Sequence, residues 1–279
     1  MRRLLAVAVA LVALIPAAPA SAAPGLVFYR YENGSAVYSP YGKTVVGGAG
    51  QFSVSPDGRK VAWIDDSGRV HVRAGSSDKV IAKGAVSGTP CATPAWSPDG
   101  KRIAYAMTAA ESMAPIAIVG ADGTGRKKLG KTYGVCHLAW SGRSLAGYTG
   151  NTDGIHVIDT ITGKSRKAKG VSGSNHVQSL SPDGRKVVFQ ALKPTAEGGD
   201  GSWPYWYTPR IVDTVTGKRV TPPVKGTLIG AMYLKDGRLA VRVKGAKHNT
   251  IVVLTPAMQV SAKFAEPAKY RSSGLLRVL

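Results

Sequence analysis

Two cysteines and five histidines are the residues from which a nucleophile, a metal site or a redox pair would be built in this chain. Cys91 and Cys136 are the only cysteines, and His137 adjoins the second. Such a set can form a disulfide, share a metal, or leave a reactive thiolate. Two cysteines and one histidine without the short fixed spacing of zinc ligands make a weak metal set. His71, His137, His156, His176 and His248 lie far apart along the chain. No His-Glu-x-x-His, Gly-x-Ser-x-Gly or phosphate-binding glycine loop is present. The residue types therefore predict no cofactor and no catalysis, and favour recognition.

Two features point to recognition. The segment Lys193–Tyr207 is rich in glycine and proline, which forbids a regular element, yet Trp203, Tyr205, Trp206 and Tyr207 fall within five residues of it. Loops on a rigid scaffold are common binding sites, and Trp and Tyr are favoured anchors. Such a loop can bind a partner, or fold back and cap its own scaffold. The second feature is charge. The formal net charge is +21, which suits an anionic polymer or envelope surface and equally suits a coat that keeps the protein dispersed. Sequence-specific nucleic-acid binding is not expected, because no recognition helix, RNA-binding signature or zinc module is visible.

The elements that must carry these residues are set by a repeat. Ser55-Pro56-Asp57-Gly58 recurs as Ser97-Pro98-Asp99-Gly100 and as Ser181-Pro182-Asp183-Gly184, with shortened copies at Ser141-Gly142 and Lys235-Asp236-Gly237. Read on the glycines, the first three intervals are 42 residues each and the last is 53. Proline pre-sets φ, aspartate bonds its own backbone and glycine takes a positive φ, so each copy is a hairpin turn. An apolar pair or triplet precedes each one and a β-rich run follows, as in Lys60–Ile64 and Lys186–Phe189. Two more strands complete each unit, giving four short strands in about 42 residues, the size of one propeller blade. The eleven surplus residues of the long interval map to Leu192–Thr208, between the second and third strands of one blade.

The first blade, Gly25 to Gly48, lacks an innermost strand, while Gly274–Leu279 is a lone apolar strand. Joining them closes the ring. The expected fold is all-β, a single six-bladed propeller of four-stranded blades closed by the C-terminal strand pairing with the N-terminal blade, with later blades starting near 51, 94, 137, 177 and 229.

The repeated Ser-Pro-Asp-Gly-Lys/Arg hairpins resemble the WD-like repeats of the TolB propeller family, over nearly the whole chain beyond its first residues. The resemblance implies a six-bladed extracytoplasmic propeller that serves as a protein-interaction platform. The chain departs from the longer members in having no room for an α/β domain before the propeller, which removes the ground for a specific Tol-Pal role.

The blade reading places the candidate residues. Cys91 and Cys136 precede the innermost strands of adjacent blades on one rim, where an oxidising compartment favours a disulfide closing about 45 residues, contributing ~2–4 kcal/mol. The aromatic loop falls on the same rim. His71 and His156 share a third-strand position that reads as structural. His137 and His176 start inner strands and could face the channel. The turns of the opposite rim carry Arg59, Lys60, Lys101, Arg102, Arg126, Lys127, Lys128, Arg185 and Lys186, a cationic ring able to hold anions.

The compartment is read from the first residues. Arg2 and Arg3, the apolar run Leu4–Ile15 and Ala20-Ser21-Ala22 form a secretory signal over residues 1–23. The run is shorter than the roughly 20 residues of a spanning helix, and no cysteine follows it to take a lipid. Residues 24–279 are then the propeller domain. The expectation is a secreted or wall-associated, non-catalytic monomer. It binds a protein or cell-envelope component through the aromatic rim, or anionic polymer through the basic rim; a channel-centred hydrolase or lyase is the remaining alternative.

Overall fold

The computed structural model describes residues 25–32, 34–47, 50–89, 92–108, 114–132, 136–148, 154–193 and 202–279. The expected signal peptide and Cys91 lie outside them. Six four-stranded antiparallel sheets form the blades of a propeller. The first blade holds β1 (Leu26–Tyr31), β2 (Ser35–Ser39) and β3 (Gly42–Val45). The second holds β4 (Phe52–Val54), β5 (Lys60–Ile64), β6 (Val70–Ala74) and β7 (Ser77–Ala82). The third has β8 (Ala95–Trp96), β9 (Arg102–Ala106), β10 (Ala114–Gly120) and β11 (Lys127–Thr132). The fourth has β12 (Cys136–Ser141), β13 (Ser144–Tyr148), β14 (Ile155–Asp159) and β15 (Ser165–Lys167). The fifth runs β16 (Ser174–Leu180), β17 (Lys186–Ala191), β18 (Pro209–Asp213) and β19 (Arg219–Val220). The sixth runs β20 (Leu228–Tyr233), β21 (Leu239–Val243), β22 (Thr250–Leu254) and β23 (Val260–Ala265), followed by a 3₁₀ turn, Ala268–Tyr270. The last strand, β24 (Gly274–Val278), returns to the first blade.

Ring closure follows the sequence expectation. β24 pairs antiparallel with β1, setting Phe28 opposite Leu275 and Tyr29 opposite Gly274. A Cβ at position 274 would fall inside the Tyr29 ring, so glycine is what lets the closing strand approach. The fifth blade begins three residues earlier than its hydrophobic pattern suggests, at Ser174, because β16 carries two bulges that lengthen it against β17.

The repeated turns form as their chemistry dictates. In the second blade Ser55 Oγ donates to Asp57 Oδ1 at 2.6 Å, the Arg59 amide donates to the same oxygen at 3.1 Å, and the Lys60 amide donates to Ser55 Oγ at 2.9 Å. Gly58 closes the turn at φ 74°, where a side chain would be strained. Ser97–Arg102 and Ser181–Lys186 repeat the arrangement. Partial burial alone would raise the Asp57 pKa, yet the Ser55 and Arg59 donors hold it below the usual value. At Asp99 the Ser97 hydroxyl is the largest cause of the same lowering.

Second and third strands lie buried between blades, and fourth strands face water. β5, β9 and β22 are buried at four of five positions, whereas β15 is exposed throughout. The core is a ring of interblade seams: Ile116 and Ile118 meet Leu138, Leu145 and Ile158 across one, and Ala146 and Ile155 meet Val187 and Phe189 across the next. Each such side chain contributes roughly 1.5–3 kcal/mol. Among the described residues no helix is long and apolar enough to cross a membrane.

Candidate functional site

The insertion between β17 and β18 is described from Ser202 onward, and its four aromatics divide. Trp203 and Tyr207 are buried, while Tyr205 and Trp206 are half-buried. Trp203 Nε1 donates to the Phe52 carbonyl at 3.1 Å, reaching from the fifth blade to the second. Tyr207 donates its hydroxyl proton to the Ala231 carbonyl at 2.8 Å. The fully buried pair His137 and His176 lies against Trp203, with ring centroids 4.8 and 4.5 Å from the indole and 4.5 Å from each other. Trp203 therefore stoppers the channel on this rim. The sequence left partner binding and capping open for this loop. Trp203 and Tyr207 turn inward, and Tyr205 and Trp206 remain within reach of a partner.

Bulges aim the histidines inward. Pairing of β12 with β13 shifts register between Cys136 and Ala139, and His137 takes φ 51°, unusual for a residue with a side chain. β16 shifts between Ser174 and His176 and again between Val177 and Ser179. His176 Nε2 donates to Gln178 Oε1 at 2.7 Å, and burial pushes its pKa down to about 3. The imidazole is neutral at any ordinary pH.

Tyr205 and Trp206 face outward over an apolar bowl. Tyr31 and Tyr205 stack at 5.6 Å with planes 18° apart, and the Tyr31 amide donates to the Tyr205 hydroxyl at 2.6 Å. Lys244 Nζ sits 5.1 Å from the Trp206 ring centre. With Trp203 and Ser272 these rings line an open cavity of about 610 Å³. The Trp206 indole N–H is covered and has no acceptor among the described residues.

Under the loop lies a cluster that sequence reasoning missed. Arg242 and Glu266 are buried and joined by two hydrogen bonds, 2.6 and 2.8 Å. Arg242 Nη1 also donates to the Tyr205 carbonyl at 3.1 Å. Asn249 donates to Glu266 Oε2 and to the Arg271 carbonyl. One salt-bridged node thus ties the aromatic loop, β21 and the segment leading into β24. Its only sequence signal was a cation inside the apolar run Leu239–Val243.

The remaining candidates are placed as follows. Cys136 is buried at the start of β12; its expected partner, Cys91, lies outside the described residues. His71 stacks on Trp63 and bridges Asp65 and Asp78 at the surface. His156 lies in β14, paired with Gly147 and Lys167. Antiparallel alternation puts the turns bearing the cations at the end of each sheet opposite the aromatic loop. Arg59, Lys101, Arg102, Arg126, Lys127, Lys128 and Arg185 are exposed; Lys60 and Lys186 are half-buried. Arg59 covers Tyr41, Arg102 covers Trp140 and Arg185 pairs with Asp213. Lys101, Lys127 and Lys128 have no ion pair among the described residues. No group of three or more His, Cys, Asp or Glu able to hold a metal occurs among the described residues.

No protein-family model matches the chain, and no curated protein matches it in sequence. Solved structures match the fold. The chain is similar to TolB from Acinetobacter baumannii, with a TM-score of 0.52 and 15% identity over 87% of this chain and 64% of that one. It is also similar to a chain of the nidogen/laminin complex (TM-score 0.52, 12% identity, 90% and 96% covered). An oligogalacturonate lyase in complex with manganese matches with a TM-score of 0.50 and 12% identity, covering 86% and 73%. The fold is a six-bladed β-propeller of the TolB type. The chain spans less than two thirds of that TolB, and identities this low speak for the fold alone.

Proposed function

We propose that the chain is an extracytoplasmic, non-catalytic propeller that binds a protein or cell-envelope component through the rim formed by Tyr31, Tyr205 and Trp206. The observation that carries this reading is the open apolar bowl walled by these rings. Aromatic surface held on a rigid scaffold loses little entropy on binding. Likeness to TolB is consistent with an interaction platform. A non-catalytic role is favoured because His176 is neutral, engaged by Gln178 and shut behind Trp203. Export rests on Leu4–Ile15 and the Ala20-Ser21-Ala22 site. A Cys91–Cys136 disulfide belongs with it, and predicts no titratable thiol in the denatured, unreduced protein.

The test is retention of the envelope fraction of the source cells on immobilised protein. Tyr205→Ala with Trp206→Ala should weaken retention at least tenfold, about 1.4 kcal/mol, with the melting temperature nearly unchanged. Unaltered retention by a folded double variant would refute the aromatic rim. Lys101, Lys127 and Lys128, which have no ion pair among the described residues, favour a second reading, anionic polymer on the opposite rim. Retention through that rim should collapse between low and moderate salt, whereas retention through the bowl should persist.

A further inference from the structure

Two arginines interrupt apolar strands, Arg242 in β21 and Arg277 in β24, and they fare differently. Arg242 donates through Nε and Nη2 to both oxygens of one carboxylate, Glu266. Arg277 points into the channel, its Nε is covered by protein, and it has no hydrogen bond or ion pair among the described residues. Asp57 acts on it electrostatically, but that carboxylate is already held by Ser55 Oγ and the Arg59 amide. Asp236, on the same wall, is taken by Arg238 at 2.7 Å. Burial lowers the Arg277 pKa to about 10, which still leaves it charged. The half-buried guanidinium has no direct hydrogen-bond acceptor among the described residues, and Asp57 acts on it only through space, so its covered Nε is left unsatisfied at a cost.

The groups around it are donors. The Tyr233 hydroxyl is covered and without a partner among the described residues. Ser179 Oγ accepts the Tyr233 amide at 2.9 Å, so its own proton is free to point into the channel. Gln178 presents its carbonyl oxygen to His176, which turns its NH₂ the other way. Lys235 lines the same wall and has no ion pair among the described residues. These residues bound both the channel throat, about 110 Å³, and an adjoining cavity of about 480 Å³ that reaches the turn-bearing rim. Such a volume suits a small molecule, and Trp203 blocks the far end.

We propose that this blind channel binds a small organic anion, its carboxylate or phosphate head on Arg277, Tyr233 and Ser179, and its body against Leu234 and Leu276. The site is on the face away from the aromatic bowl and is independent of it. The exposed rim cations attract anions weakly and in a salt-dependent manner; Arg277 supplies a half-buried, directional donor in their midst.

Calorimetric titration of the chain lacking residues 1–23, at about 0.15 M sodium chloride where surface charges are screened beyond ~8 Å, tests it. Succinate is the titrant in one arm and inorganic phosphate in the other, which separates the two head groups. One or both should bind at one site per chain. Arg277→Gln should weaken that binding at least tenfold, Tyr233→Phe should weaken it several-fold, and Lys128→Gln should leave it unchanged. Arg277→Gln should melt no lower than the parent, since the guanidinium it removes has no hydrogen bond or ion pair among the described residues. The proposal is overturned if neither anion binds the parent, or if Arg277→Gln and Tyr233→Phe bind as the parent does. A lower melting temperature for Arg277→Gln with anion binding intact in Tyr233→Phe would make Arg277 a structural residue and also overturn it.

Discussion

His176 shows how a single buried side chain makes stability depend on pH. Its folded pKa is about 3, while in the unfolded chain it lies near 6.5. Between those values the unfolded chain binds more protons, so stability is complete above pH 6.5 and is lost as pH falls toward 3. The expected loss between pH 7 and pH 5 is on the order of 1–2 kcal/mol. Urea denaturation at the two pH values should show it, and His176→Gln should flatten the difference; an equal difference in the variant would assign the slope elsewhere. The turn aspartates act in the same direction at lower pH, since their lowered values withhold protons until strong acid. Asp99→Ala removes a carboxylate that organises Ser97 and Lys101 and should cost about 1 kcal/mol, read as a fall of ~2–4 °C in melting temperature. At this scale the sequence was informative where a residue acts within its own turn. The Ser-Pro-Asp-Gly copies announced their hydrogen bonds, whereas the inner-strand starts marked His137 and His176 only as able to face the channel. The bulges that complete the aim arise from pairing with the next strand, which no local pattern records.

At the scale of elements, the Arg242–Glu266–Asn249 node decides whether the aromatic loop is held. Arg242 supports the Tyr205 carbonyl from below, and Glu266 fixes Arg242. Glu266→Ala leaves a buried guanidinium without its counter-ion and should cost about 3–5 kcal/mol. The same variant should loosen Tyr205, read as faster amide exchange around residues 202–207 than in the parent. Protection unchanged at Tyr205 in a destabilised variant would mean that the loop is held by Trp203 and Tyr207 alone. Little of this could be read beforehand. Glu266 stands 24 residues from Arg242, in no motif, and only the return of the chain toward β24 brings them together. Likewise the loop's glycines and prolines foretold irregular backbone but not the inward turn of Trp203. That turn is driven by an apolar pocket assembled from the first and second blades, with Phe52 supplying the acceptor.

The whole molecule is held by a ring whose closure depends on one late strand. Blade count, blade size and the pairing of both ends were all legible, because a fixed repeat and a missing strand leave one economical arrangement. Ending the chain at Ser273 removes β24 and with it the buried Leu276 and Val278, worth at least ~3 kcal/mol together, and bares the edge of β1. The truncated chain should unfold at lower urea and associate, and a synthetic Gly274–Leu279 peptide should restore the parent transition. Failure of the peptide to act on a chain that stays folded would show that the seam is not what closes the ring. The distance between the two halves of the seam has a consequence in time. Arg30 bonds Ser273, a residue made 243 positions later. During synthesis five blades can form as they emerge, but the first must wait with an open flank until nearly all the chain exists. The nascent protein is therefore kept from its final form by its own wiring until its last residues are made.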